Sequence, residues 1–225
     1  VSDGDIAGAQ RPEHPGLDAL DERQLPGEHP VGGRDVDILE VDVADPVESP
    51  DQLLVRVRAC GVNYPDALHI QDLYQVKQKR PFSPGGELCG VVERVGTNVQ
   101  GFSPGDLVIG RCGTGAMAEK IAIAADRCVK IPADSPVLEA AGLVLTYATA
   151  YYALVDRARL QPGETLLVLG AAGGVGCAAI DLARALGARV VAAASTQAKL
   201  DFAMACGAQD GLVYPTQLED KAAQK

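Results

Sequence analysis

The chain has 225 residues, of which 47% are hydrophobic, enough to bury a substantial core and most simply divided between two domains. Its formal net charge of −10 is unevenly placed: residues 1–55 hold fourteen acids against three arginines, and the rest sixteen acids against seventeen bases. The near-neutral body carries neither a basic stripe nor a basic–aromatic interleave, which argues against a nucleic-acid partner.

Residues 1–34 are rich in Pro, Gly, Asp and Glu, begin with Val rather than Met and lack hydrophobic periodicity. They read as a disordered leader. The N-terminus shows neither the basic region nor the apolar core of a signal peptide, and no apolar run approaches a membrane span. A cytoplasmic location without membrane contact is the expectation.

Residues 35–135 read as a first domain of short strands. Over Leu53–Cys60, Val55, Val57 and Ala59 share one face, and Arg56 and Arg58 the other. Further strands are expected at Gly90–Val95, Leu107–Ile109, Ala118–Ala124 and Cys128–Ile131. Turns at 96–98 and 103–106 separate some of them, a spacing that suggests a compact, barrel-like β domain. The six cysteines form no C-x-x-C pair, and with only His14, His29 and His69 no His/Cys cluster has zinc-ligand spacing. Reduced core thiols and no metal are expected. His69, standing alone, reads as a structural or surface residue.

Within residues 136–160, Leu138–Ala158 reads as one long apolar connecting helix, broken by Gln161-Pro162-Gly163. Residues 161–225 then change pattern. Leu166–Leu169 is a short apolar strand running into the glycine turn Ala171-Ala172-Gly173-Gly174-Val175-Gly176, and Cys177–Leu186 continues with helical spacing to a C-cap at Gly187. Arg189–Ala194 is a second buried strand, followed by a helix capped by Ser195 or Thr196 with Leu200, Ala203 and Met204 on one face. A third strand follows near Gly211–Tyr214, and a further helix near Thr216.

A strand feeding a glycine turn and a helix is where a dinucleotide's pyrophosphate binds. Gly173 permits close backbone approach, Gly176 permits tight helix–strand packing, and the helix end offers free N–H donors with about half a positive charge. Ala172, Gly173, Gly174, Val175 and Gly176 are therefore the candidate phosphate contacts. The first glycine of G-x-G-x-x-G is Ala171 here, so a glycine turn without a ligand is the competing reading of these six residues. At the end of the second strand, where NAD-selective sites place an acid, this chain has Ser195. Lys199 stands one helical turn on, so a hydroxyl and an ammonium can face a 2′-phosphate, favouring NADP(H). The competing reading is that Ser195 only caps its helix and Lys199 is a solvated charge.

Five ordered segments, Ala59–Asp66, Pro81–Glu87, Gly101–Val108, Thr149–Tyr152 and Ala171–Gly176, resemble the quinone oxidoreductase branch of the medium-chain dehydrogenase/reductase superfamily from about Asp37 to Lys225. The resemblance implies an α/β architecture: a GroES-like substrate domain, then the first half of a Rossmann fold. It also implies NADPH-dependent reduction of quinones or activated alkenes, and a homodimer when complete. Zinc-dependent members carry a cysteine where Asn63 stands and a histidine where Gly86 stands; their four-cysteine structural zinc loop is also missing. Asn63 and Thr149 are implied near the nicotinamide, Tyr74 near the substrate opening, and Ser195, Lys199 and Tyr214 at the adenosine phosphate. Some relatives have tyrosine at the position of Leu68, arginine at Ile70 and glycine at Asp72, so the acceptor's identity stays open.

The chemistry this implies is hydride transfer, with Asn63 donating to the acceptor oxygen and a proton drawn from Tyr64, Tyr74 or bulk water. Asn63 as a turn residue and Tyr74 as a packing residue are the structural alternatives. An enoyl-thioester reductase and a non-enzymatic NADP(H)-binding protein are the alternative functions. Residues 164–225 supply one β-α-β-α-β half where a full dinucleotide fold has two, so a fragment with weak or no turnover is expected. Strand 166–169 should then be an exposed apolar edge.

Overall fold

The computed structural model describes residues 40–214; the expected leader and the helix near Thr216 lie outside the described residues. The first unit is a five-stranded antiparallel sheet, order β4-β1-β2-β3-β5. Its strands are β1 (Gln52–Gly61), β2 (Glu87–Val95), β3 (Leu107–Arg111), β4 (Lys120–Ala124) and β5 (Cys128–Lys130). The alternation expected in β1 is present: Val55 is fully buried while Arg56 and Arg58 are exposed. Leu53, Val55, Leu88, Val92, Val108 and Ile123 close one core. Cys89, Leu107 and Ile109 form another against Ala141 of the following helix.

Between β1 and β2 the chain makes α1 (Tyr64–Ile70), which the strand pattern did not predict. Pro65 lies in its first turn, where a missing N–H costs nothing, and Asp66 accepts the Asn63 N–H at 2.8 Å.

The long helix expected over 138–158 is instead three pieces. It divides into α2 (Val137–Ala141), α3 (Leu143–Tyr151) and a π-helical stretch, Tyr152–Arg157. Gly142 separates the first two at φ −96° and ψ 6°, outside helical geometry, where a glycine is a weak helix former. The apolar run hid that break.

The second unit is a parallel sheet of order β6-β7-β8: β6 (Thr165–Leu169), β7 (Arg189–Ala194) and β8 (Asp210–Val213). Helices α4 (Gly174–Ala185) and α5 (Gln197–Ala205) connect them. This is the strand order of one half of a doubly wound nucleotide fold. Ile180, Ala183, Val190, Ala192 and Ala203 form its core. α4 starts three residues earlier than expected, taking Gly174, Val175 and Gly176 into its first turn. Met204 is exposed, unlike Leu200 and Ala203, so the buried face of α5 is narrower than expected. Among the described residues β6 pairs on one side only, and Leu167 and Leu169 are exposed on it. Among the described residues no helix is long and apolar enough to cross a membrane.

Leu88 is wholly excluded from solvent at the centre of the antiparallel unit. Leu88→Ala should lower unfolding free energy by about 2–5 kcal/mol in urea titration; a loss below about 1 kcal/mol would show that the centre repacks freely.

Candidate functional site

The glycine turn is shaped by one close approach. A Cβ on Gly176 would lie 2.7 Å from the Gly170 carbonyl oxygen and 2.8 Å from that of Ala171, so only glycine lets α4 start this near β6. Gly170 itself has φ +64°, a left-handed conformation that turns the chain out of the strand. The first intrahelical bond is Cys177 N–H to Gly173 O at 2.8 Å. The amides of Gly174, Val175 and Gly176 thus lie in the first turn, where backbone N–H groups have no intrahelical acceptor. Those amides and the positive end of the helix form an anion-binding arrangement.

Beside this turn opens a cleft of about 490 Å³, lined by Gly170, Ala172, Gly173, Ala194, Ser195, Ala198, Lys199, Phe202 and Tyr214. Five of the residues singled out in the sequence, Ala172, Gly173, Ser195, Lys199 and Tyr214, thus meet in one place. α5 is capped by Thr196, whose Oγ1 accepts the Lys199 N–H at 3.3 Å, so Ser195 is not the capping residue. Its hydroxyl instead accepts a hydrogen bond from Lys199 Nζ at 3.4 Å. Phe202, one turn beyond Lys199 and 55% exposed, presents an apolar ring to the cleft that sequence reasoning missed. The i to i+3 spacing from Lys199 was the available signal.

A second group lies around the start of β2. Asn63, half-buried, donates from Nδ2 to Glu87 Oε1 at 2.7 Å, and Glu87 Oε2 accepts the backbone N–H of Leu145 in α3 at 2.7 Å. Thr149 is exposed one turn beyond Leu145. Tyr74 stands outside this set: its ring packs on His69 at 4.5 Å between centroids. His69 is buried, and its Nδ1 has no hydrogen-bond partner.

Beneath Gly85, whose added Cβ would lie 2.7 Å from Cys60 Sγ, the Cys112 thiol donates to the Gly85 carbonyl at 3.3 Å. Burial, reinforced by the negative charge of Asp66 in both cases, pushes Cys60 and Cys112 up to about 11. Among the described residues no group of three or more His, Cys, Asp or Glu is placed to hold a metal ion.

Comparison with known proteins bears on the fold and the family. A family model described as the alcohol dehydrogenase GroES-like domain matches residues 49–133. The chain is 42% identical over 178 residues to quinone oxidoreductase-like protein 2 of Bos taurus, covering 79% of this chain and 51% of that protein. Among solved structures, a probable oxidoreductase from Mycobacterium abscessus superposes with a TM-score of 0.74 at 38% identity, over 82% of this chain and 57% of that one. Quinone oxidoreductase from Escherichia coli, crystallised with NADPH, gives a TM-score of 0.71 at 30% identity, over 83% and 56% respectively.

The fold is that of a GroES-like domain followed by Rossmann-type β-α units. The chain belongs to the medium-chain dehydrogenase/reductase superfamily, in the branch of the quinone oxidoreductases. It spans about half the length of the curated relatives it matches.

The raised thiols give a direct check. Between an ordinary 9.0 and about 11, the thiolate present at pH 8 falls roughly a hundredfold, so Cys60 and Cys112 should alkylate about that much more slowly in the folded protein than after unfolding. Their rates should climb as pH rises toward 11. Mass-mapped iodoacetamide labelling that modifies either at the unfolded rate would contradict this placement.

Proposed function

We propose that residues 40–214 hold NADP(H) and one wall of the acceptor site of a zinc-independent oxidoreductase that passes hydride to a quinone or an α,β-unsaturated carbonyl compound. The observation that carries the reading is the cleft in which Ser195 and Lys199 meet beside the amide end of α4. A helix N-terminus suits a diphosphate, and an ammonium hydrogen-bonded to a hydroxyl suits a 2′-phosphate. Phe202 and Tyr214 offer flat apolar surface for an adenine at the same cleft. The NADPH bound to the Escherichia coli relative supports the choice of nucleotide.

When bound, the nicotinamide supplies the hydride. The chain's own contribution is to hold the dinucleotide by the amides of Gly174, Val175 and Gly176 and to select it by Ser195, Lys199 and Tyr214. At the reactive end, Asn63 donates an N–H to the acceptor's oxygen as negative charge develops there, while Thr149 contacts the carboxamide. Tyr74 borders the acceptor. Of the tyrosines considered as proton sources, Tyr64 is 77% exposed, which favours transfer through solvent over a buried phenol.

Lys199→Ala should weaken NADPH binding about tenfold or more, the worth of one charge-assisted contact, and leave NADH binding within about twofold. Fluorescence titration with both nucleotides checks this. Equal losses for the two would contradict a 2′-phosphate contact. Turnover of a chain extended to the length of its relatives, measured against a quinone, an enone and an enoyl thioester, then sorts the acceptor. Activity confined to the thioester would replace the quinone assignment, and tight binding with no turnover on any of the three would favour a nucleotide-binding protein.

A further inference from the structure

Glu87 is fully buried, and both its oxygens are engaged by other parts of the chain. A carboxylate removed from water is costly unless it is paired. Its two donors here are neutral, the Asn63 amide and the Leu145 backbone N–H, and among the described residues no lysine or arginine forms a salt bridge with it. An apolar side chain of similar volume would serve packing as well. The neighbouring backbone is nevertheless fitted to this group: a Cβ on Gly61 would lie 2.5 Å from Glu87 Oε1 and 2.7 Å from the Ala141 carbonyl oxygen.

The carboxylate does two things that an apolar residue cannot. Both Glu87 oxygens act as acceptors here, so the Asn63 side chain turns its nitrogen, not its oxygen, toward Glu87. That choice fixes the amide's orientation and commits one of its two N–H groups, leaving the other to a different partner. Through its second oxygen Glu87 takes a first-turn amide of α3, a donor with no partner inside the helix. α3 in turn meets the glycine turn: a Cβ on Gly174 would lie 3.0 Å from the Thr146 methyl carbon. One side chain therefore joins the Asn63 loop of the antiparallel unit to the helix that abuts the nucleotide turn.

We propose that Glu87 is a positioning residue: it sets the direction of the Asn63 amide and its register against α3, so that the remaining N–H is aimed for the acceptor oxygen. The orientation stands on the hydrogen bonds alone, whereas its consequence for turnover rests on the function proposed above. Glu87→Gln is the discriminating variant, because it keeps the shape but lets Asn63 pair through its oxygen.

Side-chain amide NMR of the 225-residue protein tests the orientation without any turnover. Expected are a downfield, slowly exchanging Nδ2 proton of Asn63 and a protected Leu145 amide in the wild type; in Glu87→Gln the Asn63 effect is lost while Leu145 stays protected, because the Gln oxygen still accepts its N–H and the Gln NH2 faces the Asn63 oxygen. An Asn63 amide at the free position in the wild type, or one unchanged in Glu87→Gln, would overturn the proposal even if a variant failed to fold.

Turnover tests the consequence. In a chain extended to the length of its relatives, Glu87→Gln should lower kcat tenfold or more with NADPH affinity within about threefold, and Asn63→Ala/Glu87→Gln should be no slower than Asn63→Ala. Losses that multiply would show that Glu87 acts only on general structure and would overturn the positioning role. A wild type that binds no NADPH defeats the functional reading, and the amide spectrum still decides the orientation.

Discussion

The nucleotide half of this protein depends on one contact distance. Where α4 leaves β6, the position of Gly176 is so near the carbonyl oxygens of Gly170 and Ala171 that a single methyl group has no room. That crowding is what brings the first-turn amides of the helix to the top of the sheet, beside the ends of β6 and β7. Moving the helix outward by the width of a side chain would separate the amides from Ser195 and Lys199, and the cleft would lose its two chemical ends. The alanine at position 171 matters less, because it is fully buried and its N–H is bonded to the Ala193 carbonyl at 3.1 Å.

The second constraint links the units. α2 packs on the antiparallel sheet through Ala141, and α3 abuts α4 at Thr146 and Gly174 and through the Tyr147 hydroxyl, which donates to Asp181 at 3.0 Å. Gly142 permits the bend between them. A continuous helix over this stretch would fix the two contact faces in a single line. The break lets each segment choose its own partner, and the carboxylate of Glu87 fastens the far side of the bend to Asn63.

Local pattern made much of this legible. Alternation in β1, the apolar runs of β6 and β7, and the glycine turn between strand and helix are short-range signals, and each element stands within a few residues of where the sequence puts it. Ser195 and Lys199 were also readable, from the strand end and the helical spacing, and Tyr214 only through the family resemblance; the end of β7, the start of α5 and the end of β8 line one cleft. What escaped was either a local competition or a distant contact. Thr196 and Ser195 are equivalent caps on paper, and only the backbone decides between them. Gly142 sits in so apolar a run that the helix seems unbroken by composition. Glu87 contacts residues 24 and 58 positions away, and no periodicity in the sequence reports a pairing of that kind.

The measurement that bears most directly on the whole account is calorimetric titration of the wild-type protein and Gly176→Ala with NADPH, with circular dichroism to show that the antiparallel unit stays folded. Saturable binding by the wild type and a loss of about tenfold or more in the variant are predicted. Equal affinity in the two, or no heat of binding in the wild type, would contradict the claim that the close approach at Gly176 builds the nucleotide site.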